Sequence, residues 1–475
     1  MNTLPDNVLL AIFKFFLDEY SYTYERDEQE RENAWQSLVH VCRRWRCIAF
    51  GSPRHLDLEL VCTSRTRARD TLDVWPALPL VILCQGNYPI RNTDDIIAVL
   101  ERRDRVRRID LRDFQSSVPE IILPEMRQPF PELTSLLLFM DKGTVPIFPE
   151  SFLGGSAPRL EYLRLHHIPF PCLPKVLLSA THLHSLHLYD IPHSGYILPD
   201  ALVTILSNLT SLKSFILAFQ SPRSCPDLSN RPPPPSSRSV LPVLTIFEFK
   251  GVCEYLEYFV DLIDTPQLDT SSITFFNDVL FDTPQFMQFI ARTSTLRALE
   301  KAHITLWDKG ADVNFLSRTS EHMDLKLRLE VLCRGLDWQV SSVGQVCASC
   351  LPPLSMSEDL YIYERKNWGL DWKENIEYGL WVDLLHPFTA VKNLYLCREF
   401  SRRIGPALQE LVEGITTEVL PTLENIFLEG LVPSGSVEGG IGQFVAARQV
   451  AGHPITISRW ANSENEMIFP YYRYL

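Results

Sequence analysis

Residues 158–165 read PRLEYLRL and residues 181–188 read THLHSLHL. In both stretches an apolar residue is followed three positions later by a second one, and two positions after that by a third. A separation of two positions places side chains on the same face of a β-strand. The pattern recurs along the chain, so we expect each copy to contribute one strand to a common sheet.

Six copies of the pattern begin at positions 106, 133, 160, 183, 212 and 244, and three looser copies follow. Leucine-rich repeats have about this length and carry a strand with L-x-x-L-x-L spacing. Apolar segments of helical character lie between the strands. The sequence therefore predicts an α/β fold, an irregular leucine-rich-repeat solenoid with a parallel sheet on its concave face and helices on the other. The nine copies are Val106-Ile109-Leu111, Leu133-Leu136-Leu138, Leu160-Leu163-Leu165, Leu183-Leu186-Leu188, Leu212-Phe215-Leu217, Leu244-Phe247-Phe249, Leu268 with Ile273, Val391-Leu394-Leu396 and Leu423-Ile426-Leu428.

Three segments depart from the repeat. Residues 221–242 are rich in Pro and Ser and predict an exposed loop. From about 308 to 385 the period is lost, and for residues 357–385 the sequence leaves open a helix-rich insertion or a set of distorted repeats. The glycines of residues 439–442, GGIG, predict a turn.

The first fifty residues have a different, helical pattern. Residues 4–17, LPDNVLLAIFKFFL, place apolar side chains at steps of three and four, and residues 34–50, AWQSLVHVCRRWRCIAF, form a second such segment that stops at Gly51. Residues 18–33 between them are polar and predict a solvated excursion or an extended helix end. Two short helices cannot bury this many large side chains against each other, and each burial is worth about 1.5–3 kcal/mol. The helices therefore need a further surface, either the repeat domain, which they would cap, or a partner protein.

The order of these residues resembles the F-box pattern: Leu4-Pro5, an apolar helix, then Val41-Cys42, Trp45 and Ser52-Pro53. The chain is similar to F-box proteins of the fungal type, in which insertions such as residues 18–33 occur. The resemblance covers residues 3–55 and implies docking on the Skp-type adaptor of a cullin–RING ubiquitin ligase. It implies a helical F-box-like domain at 1–58 and a degenerate repeat domain at 59–475. The implied adaptor-binding residues are Leu4, Pro5, Val8, Leu9, Ile12, Phe13, Phe16, Leu38, Val41, Cys42 and Trp45.

Alternation along the strands predicts a second binding surface. If Leu163 and Leu165 face the core, then Tyr162, Arg164 and His166 face the other side of the sheet. This side mixes charges, histidines and aromatic rings, and Tyr and Arg are common in the energetic centres of protein interfaces. An ordinary solvated sheet face is the alternative for any single residue. The candidate target-binding residues are Asp110, Arg164, His187, Glu248 and Tyr395.

Composition and missing motifs exclude other classes of function. A formal net charge of −13 argues against nucleic acid as the main ligand. The sequence contains no apolar run of about 20 residues and no signal-peptide pattern, and its 11 cysteines are scattered, so we expect an intracellular protein of the cytoplasm or nucleus. It has no nucleotide-binding, GxSxG or HExxH motif, and a lone CxxC at 347–350 lacks the second pair that zinc requires. We expect no catalytic residue, cofactor or metal.

These patterns together predict the substrate-recognition subunit of an SCF-type ubiquitin ligase. The F-box would bind the Skp-type adaptor, and through it a cullin, while the repeat domain binds the target protein. The alternative is a repeat scaffold that binds partners without any ligase.

Overall fold

A computed structural model of the protein resolves two compact units. The first comprises Met1–Ile197 with Asn208–Leu212, and the second comprises Leu198–Ser207 with Lys213–Leu475. The structure describes residues 4–21, 28–63, 72–84, 93–114, 122–140, 151–169, 173–226, 237–276, 283–296, 299–318, 323–333, 335–350, 357–364, 377–413, 419–429 and 439–460.

The first unit begins with three helices, α1 (Asp6–Ser21), α2 (Glu28–Val41) and α3 (Arg43–Gly51). The sequence predicted a single helix where α2 and α3 lie, and this prediction is wrong. The chain is extended at Cys42, whose Sγ accepts a hydrogen bond from the backbone N–H of Trp45, 3.5 Å away, and so caps α3. The predicted stop at Gly51 is confirmed. Part of the polar excursion is helical, since α2 begins at Glu28, and residues 22–27 lie outside the described residues.

Six parallel strands follow in the first unit, each paired with the next in chain order. The register aligns Leu136, Leu163 and Leu186, so the leucines of successive repeats stack. The first two strands precede the first copy of the pattern, and the sequence did not predict them. The strands are β1 (Leu60–Thr63), β2 (Leu80–Cys84), β3 (Val106–Phe114), β4 (Ser135–Met140), β5 (Tyr162–His166) and β6 (Ser185–Ile191), with helices α4 (Thr93–Leu100) and α5 (Leu173–Ser179) between them.

The second unit repeats the alternation of strands and helices. In its main sheet the strands lie in the order β7-β9-β11-β14-β13-β12-β15-β16-β17-β18. Its strands are β7 (Ser214–Phe219), β8 (Ser239–Val240), β9 (Ile246–Gly251), β10 (Ile263–Asp264), β11 (Thr270–Phe276), β12 (Lys301–Trp307), β13 (Gly310–Arg318), β14 (Met323–Leu332), β15 (Asp359–Glu364), β16 (Asn393–Leu396), β17 (Asn425–Glu429) and β18 (Thr456–Trp460). Its helices are α6 (Pro199–Leu206), α7 (Cys253–Asp261), α8 (Pro284–Arg292), α9 (Leu336–Cys350), α10 (Tyr378–Leu385), α11 (Arg398–Glu413) and α12 (Gly439–Val450).

The nine copies of the sequence pattern form the core. Every apolar residue in them is at most 4% exposed. Helices cover this side of the sheet: Phe259 of α7 packs against Phe215 of β7 and Phe247 of β9, with ring centroids 5.9 and 5.7 Å apart. Buried side chains of this size are the largest favourable contribution to folding. The leucine-rich-repeat-like fold is therefore confirmed by strand order and burial.

The region in which the period is lost contains an antiparallel excursion of the sheet. Strand β13 runs antiparallel to both β12 and β14, while β14 pairs with β11 and β12 pairs with β15, both in parallel. A tight turn joins β12 to β13 at Gly310, where an added Cβ would lie 2.3 Å from the carbonyl oxygen of Val331. The parallel sheet of the prediction is thus interrupted by one reversed strand, and α9, β15 and α10 resume the alternation.

Two predicted loops contain regular structure. Within the Pro- and Ser-rich segment, Ser239–Val240 forms β8 and pairs with β10, next to a hydrogen bond from Arg238 to the carbonyl oxygen of Asp261 (3.0 Å); residues 227–236 lie outside the described residues. The glycines expected to form a turn begin α12 instead. A Cβ at Gly440 would lie 2.3 Å from the carbonyl oxygen of Gly405 in α11, so this glycine permits close packing of two helices.

Candidate functional site

Helix α1 presents apolar side chains on two sides. On one side Leu9, Phe13 and Leu17 are buried, and the Phe13 ring lies 4.7 Å from that of Trp45. On the other side a set of residues that we call the α1 stripe is exposed to solvent. Successive residues of a helix are spaced by about 100° around its axis, so the members of this set that belong to α1 lie close together on one side. Side chains that anchor a helix in the groove of a partner have this arrangement. The α1 stripe consists of Leu4, Val8, Ile12 and Phe15, with exposed fractions of 39%, 38%, 47% and 76%.

The implied adaptor-binding residues therefore divide into three groups by burial. Leu9, Phe13 and Leu38 are buried within the unit, so they hold the helices together and are not available to a partner. Trp45 and Phe16 are partly buried. The sequence interpretation missed Phe15, although its position three residues after Ile12 gave the signal. The exposed members are Leu4, Pro5, Val8, Ile12, Val41 and Cys42.

Arg44 joins the start of α1 to α3. Its Nε and Nη2 donate to one carboxylate oxygen of Asp6, at 3.1 and 2.6 Å, and Nη2 also donates to the carbonyl oxygen of Leu4. An exposed ion pair of this kind contributes about 0–1 kcal/mol. Its effect is positional, because it holds the Leu4-Pro5 segment beside the N-terminus of α3.

The same three helices are attached to the repeat strands on another side. The Trp35 indole N–H donates to the carbonyl oxygen of Glu59, 3.0 Å away and one residue before β1. Its ring also packs edge-on against Trp75, with centroids 5.1 Å apart. The helices thus contact the strands of their own unit through Trp35 while the α1 stripe remains exposed.

The strands carry a second candidate surface on the side of each sheet opposite the buried pattern residues, which we call the open face. In the first unit the register aligns Asp110, Leu137, Arg164 and His187 across four strands. Around this row lies the arginine–aromatic cluster, defined as Arg108, Arg112, Phe139, Arg164 and Tyr189.

Alternation predicted that Asp110 is exposed, and this prediction is wrong. Asp110 is completely buried. The guanidinium of Arg112 donates through Nε and Nη2 to its two carboxylate oxygens, both at 2.9 Å, and Nη2 of Arg108 lies 3.6 Å away. A carboxylate removed from water requires such partners. Asp110 is therefore the counter-ion of two arginines, and their side chains form the surface.

Arg164 is held between two aromatic rings. Its guanidinium carbon lies 5.0 Å from the Phe139 centroid and 4.6 Å from that of Tyr189, within the range of cation–π attraction. Among the described residues no carboxylate forms an ion pair with Arg164. Its Nε is buried without a hydrogen-bond partner. The side chain is fixed in position while its charge is not neutralised by an anion.

His187 borders the cluster as a neutral side chain. Burial, and then the charge of Arg164, lower the pKa of His187 to about 4. Its Nδ1 lies 3.3 Å from the hydroxyl of Tyr162. Because a neutral imidazole adds no charge at physiological pH, the cationic character of this surface comes from its arginines.

The open face of the second unit includes two rows of side chains that run across adjacent strands. An aromatic row stacks His303 on Tyr361, Tyr361 on Tyr395 and Tyr395 on Phe427, with centroids 4.3, 4.1 and 4.5 Å apart. Tyr395, a predicted target-binding residue, is the half-buried centre of this row. Glu248 is also half-buried, in β9 opposite Ser272 of β11.

The second row on this face is polar. Asn393 donates to Asp359 at 2.7 Å, Asn425 donates to Asn393 at 2.8 Å, and Thr456 donates to Asn425. Lys301 lies 3.6 Å from Asp359 at the other end. Each strand is therefore joined to the next by a side-chain hydrogen bond or ion pair.

Two negative observations accompany these surfaces. Within the described ranges, no group of three or more His, Cys, Asp or Glu side chains could hold a metal ion. Over the same ranges, every helix is too short or too polar to cross a membrane.

Comparison with known proteins gives a distant structural likeness. The crystal structure of the leucine-rich repeat-containing protein LegL7 from Legionella pneumophila aligns with 83% of this chain and 98% of its own, at 13% identity and a TM-score of 0.29. No protein-family model matches the sequence, and no curated protein matches it. The description of this chain as a leucine-rich-repeat-like protein therefore rests on its own strands and buried residues.

Proposed function

We propose that the protein is the substrate-recognition subunit of an SCF-type ubiquitin ligase. The N-terminal helices dock on a Skp-type adaptor, and through it on a cullin, and the open face of the repeat strands binds the target. The mechanism is proximity: the target is held beside a ubiquitin-loaded enzyme at high effective concentration, so this chain needs no catalytic residue.

The exposed α1 stripe is the observation that supports adaptor docking. Its side chains remain in water although the same helices already pack against β1 through Trp35. Burying the exposed part of each side chain in a groove recovers about 0.5–2 kcal/mol, and steps of three and four residues suit an amphipathic helix in such a groove. The F-box-like order from Leu4-Pro5 to Trp45 supports a Skp-type adaptor as the partner in this proposal.

The test uses substitutions on the exposed side of α1. We expect Ile12→Asp and Phe15→Asp together to reduce pull-down of a purified Skp-type adaptor by the full-length protein at least about 20-fold, the loss of two partly exposed anchors at about 0.7–2.3 kcal/mol each. Leu178→Asp on α5 is the matched control, because this leucine is 53% exposed on another helix of the same unit. Leu9→Asp is unsuitable, since Leu9 is buried and its loss would unfold the helices.

The outcomes of this experiment separate two functions. Undiminished adaptor binding by the double variant, or no binding by the wild type, would contradict the proposal. The second candidate is a ligase-independent scaffold, which the contact of Trp35 with Glu59 favours because a solenoid needs a capping element. Cullin co-purifying with the wild type but not with the double variant distinguishes the ligase subunit from the scaffold.

A further inference from the structure

We propose that the arginine–aromatic cluster binds an acidic segment of the target protein, with an Asp or Glu carboxylate of that segment paired with Arg164. The inference rests on the proposed target-binding role of the open face. It does not depend on adaptor docking, so each can fail without the other.

Arg164 is preorganised to receive a carboxylate. Phe139 and Tyr189 occupy positions against its guanidinium, at 5.0 and 4.6 Å from the ring centroids, and so restrict its rotation. The edge of the guanidinium carries paired N–H donors in a planar fork that matches the two oxygens of a carboxylate. A side chain that is already ordered loses little conformational entropy on binding.

Two further arginines lie in the cluster around Arg164. Arg108 and Arg112 share the single buried carboxylate of Asp110. Arg112 also lies 5.4 Å from the Phe139 centroid, so it approaches the same ring as Arg164. Asp190 lies 3.4 Å from Nε2 of His166. A group of three arginines in a chain of net charge −13 is complementary to an anionic ligand.

The aromatic and apolar neighbours favour a peptide over a nucleic acid. Phe139 and Tyr189 are half-buried, and Leu137 lies between Asp110 and Arg164 in the same row, so apolar side chains separate the charges. A phosphate backbone is neutralised by a longer run of Lys and Arg than these three residues supply. An extended peptide with alternating acidic and other side chains places its charges on one side, facing the arginines.

The test measures peptide binding to the full-length protein. The probe is a fluorescein-labelled peptide of about ten residues that alternates Glu and Gly, long enough to extend over several strands. The reference is the same peptide with Gln in place of Glu, and binding is followed by fluorescence anisotropy at low salt. We expect the glutamate peptide to bind at least about tenfold more tightly than the glutamine peptide.

Variants assign that binding to the cluster. Arg164→Gln should reduce affinity for the glutamate peptide at least about tenfold, and Arg164→Lys should restore part of it, since lysine keeps the charge but loses the fork. Arg159→Gln is the matched control, because Arg159 precedes β5 and pairs with Glu132. The Arg159→Gln variant should bind the glutamate peptide as tightly as the wild type does. Circular dichroism and adaptor pull-down of each variant report whether it remains folded.

Three results would overturn the inference. The first is equal affinity for the two peptides, and the second is unchanged binding by folded Arg164→Gln. The third is binding of a phosphoserine-containing peptide or of oligothymidylate that exceeds binding of the glutamate peptide, which would assign the cluster to phosphate rather than carboxylate.

Discussion

The open faces of the two units differ in how their polar side chains find partners. In the second unit the polar row from Lys301 to Thr456 is joined across strands, and the rings of Tyr361 and Tyr395 stack at 4.1 Å. In the first unit Arg164 lies between two rings without an ion-pairing carboxylate among the described residues. Both faces arise from the same alternation along parallel strands. Hydrogen bonding, rather than position in the fold, therefore indicates which face is structural and which can bind.

The largest expected effect is on the aromatic row of the second unit. Tyr361→Ala should lower the free energy of unfolding by about 3–5 kcal/mol, because Tyr361 is 4% exposed and stacks on His303 and Tyr395. Tyr361→Phe, the control, keeps the ring and should cost much less. Urea denaturation measures both. A loss below about 1 kcal/mol for the alanine variant would remove the distinction between a structural and a binding face.

An intermediate effect is expected on the pH dependence of stability. It comes from two histidines, one on the open face of each unit. Burial, and then Lys301, lower the pKa of His303 to about 3, and burial, and then Arg164, lower that of His187 to about 4. Both values lie below about 6.5, the pKa of an unfolded histidine, so the unfolded chain takes up protons first on acidification. The stability contributed by the neutral histidines is complete above about pH 6.5 and decreases as the pH falls.

Down to about pH 5 the effect of acidification should be about equal in the two units, because both folded-state pKa values lie below that pH. Between about pH 6.5 and pH 5 each histidine should cost about 1–2 kcal/mol, and His303→Gln should flatten the dependence about as much as His187→Gln. Thermal unfolding across this pH range measures the slope. A slope that neither substitution changes would assign the pH dependence to other groups.

The smallest expected effect is on the stability of the first unit. Arg164→Gln should change the free energy of unfolding by less than about 1 kcal/mol, because the guanidinium makes cation–π contacts but no ion pair with a described residue. Urea denaturation measures this change. A loss of several kcal/mol would place Arg164 with the structural side chains of the second unit and weaken the case for peptide binding.

The repeats could be predicted from the sequence because each copy carries its own signal. Leu160, Leu163 and Leu165 bury one side of a strand wherever the neighbouring copy lies, so local spacing is sufficient. Strand β13 could not be predicted in this way. Its burial depends on β12 and β14 together, and residues Gly310–Leu316 are all buried, on both faces, which removes the alternation.

The candidate sites were predictable in position but not in role. Alternation correctly placed Asp110 on the open face, but only the geometry of Arg108 and Arg112 determines that it is buried. Helical spacing likewise indicated an apolar α1, but whether Ile12 or Phe13 faces solvent depends on where α2 and α3 pack. Both failures concern side chains whose surroundings come from distant parts of the sequence.

The strand order of the second unit has a consequence for synthesis on the ribosome. In most of this unit the emerging chain can extend the sheet one strand at a time, with each new strand joining the previous one. This stepwise extension of the sheet stops at β11. The next strand beside β11 in the sheet is β14, which emerges only after β12 and β13. Until Leu332 has been translated, one edge of β11 lacks its hydrogen-bonding partner, and we expect nascent chains arrested in this interval to be the ones most prone to aggregate or to recruit chaperones.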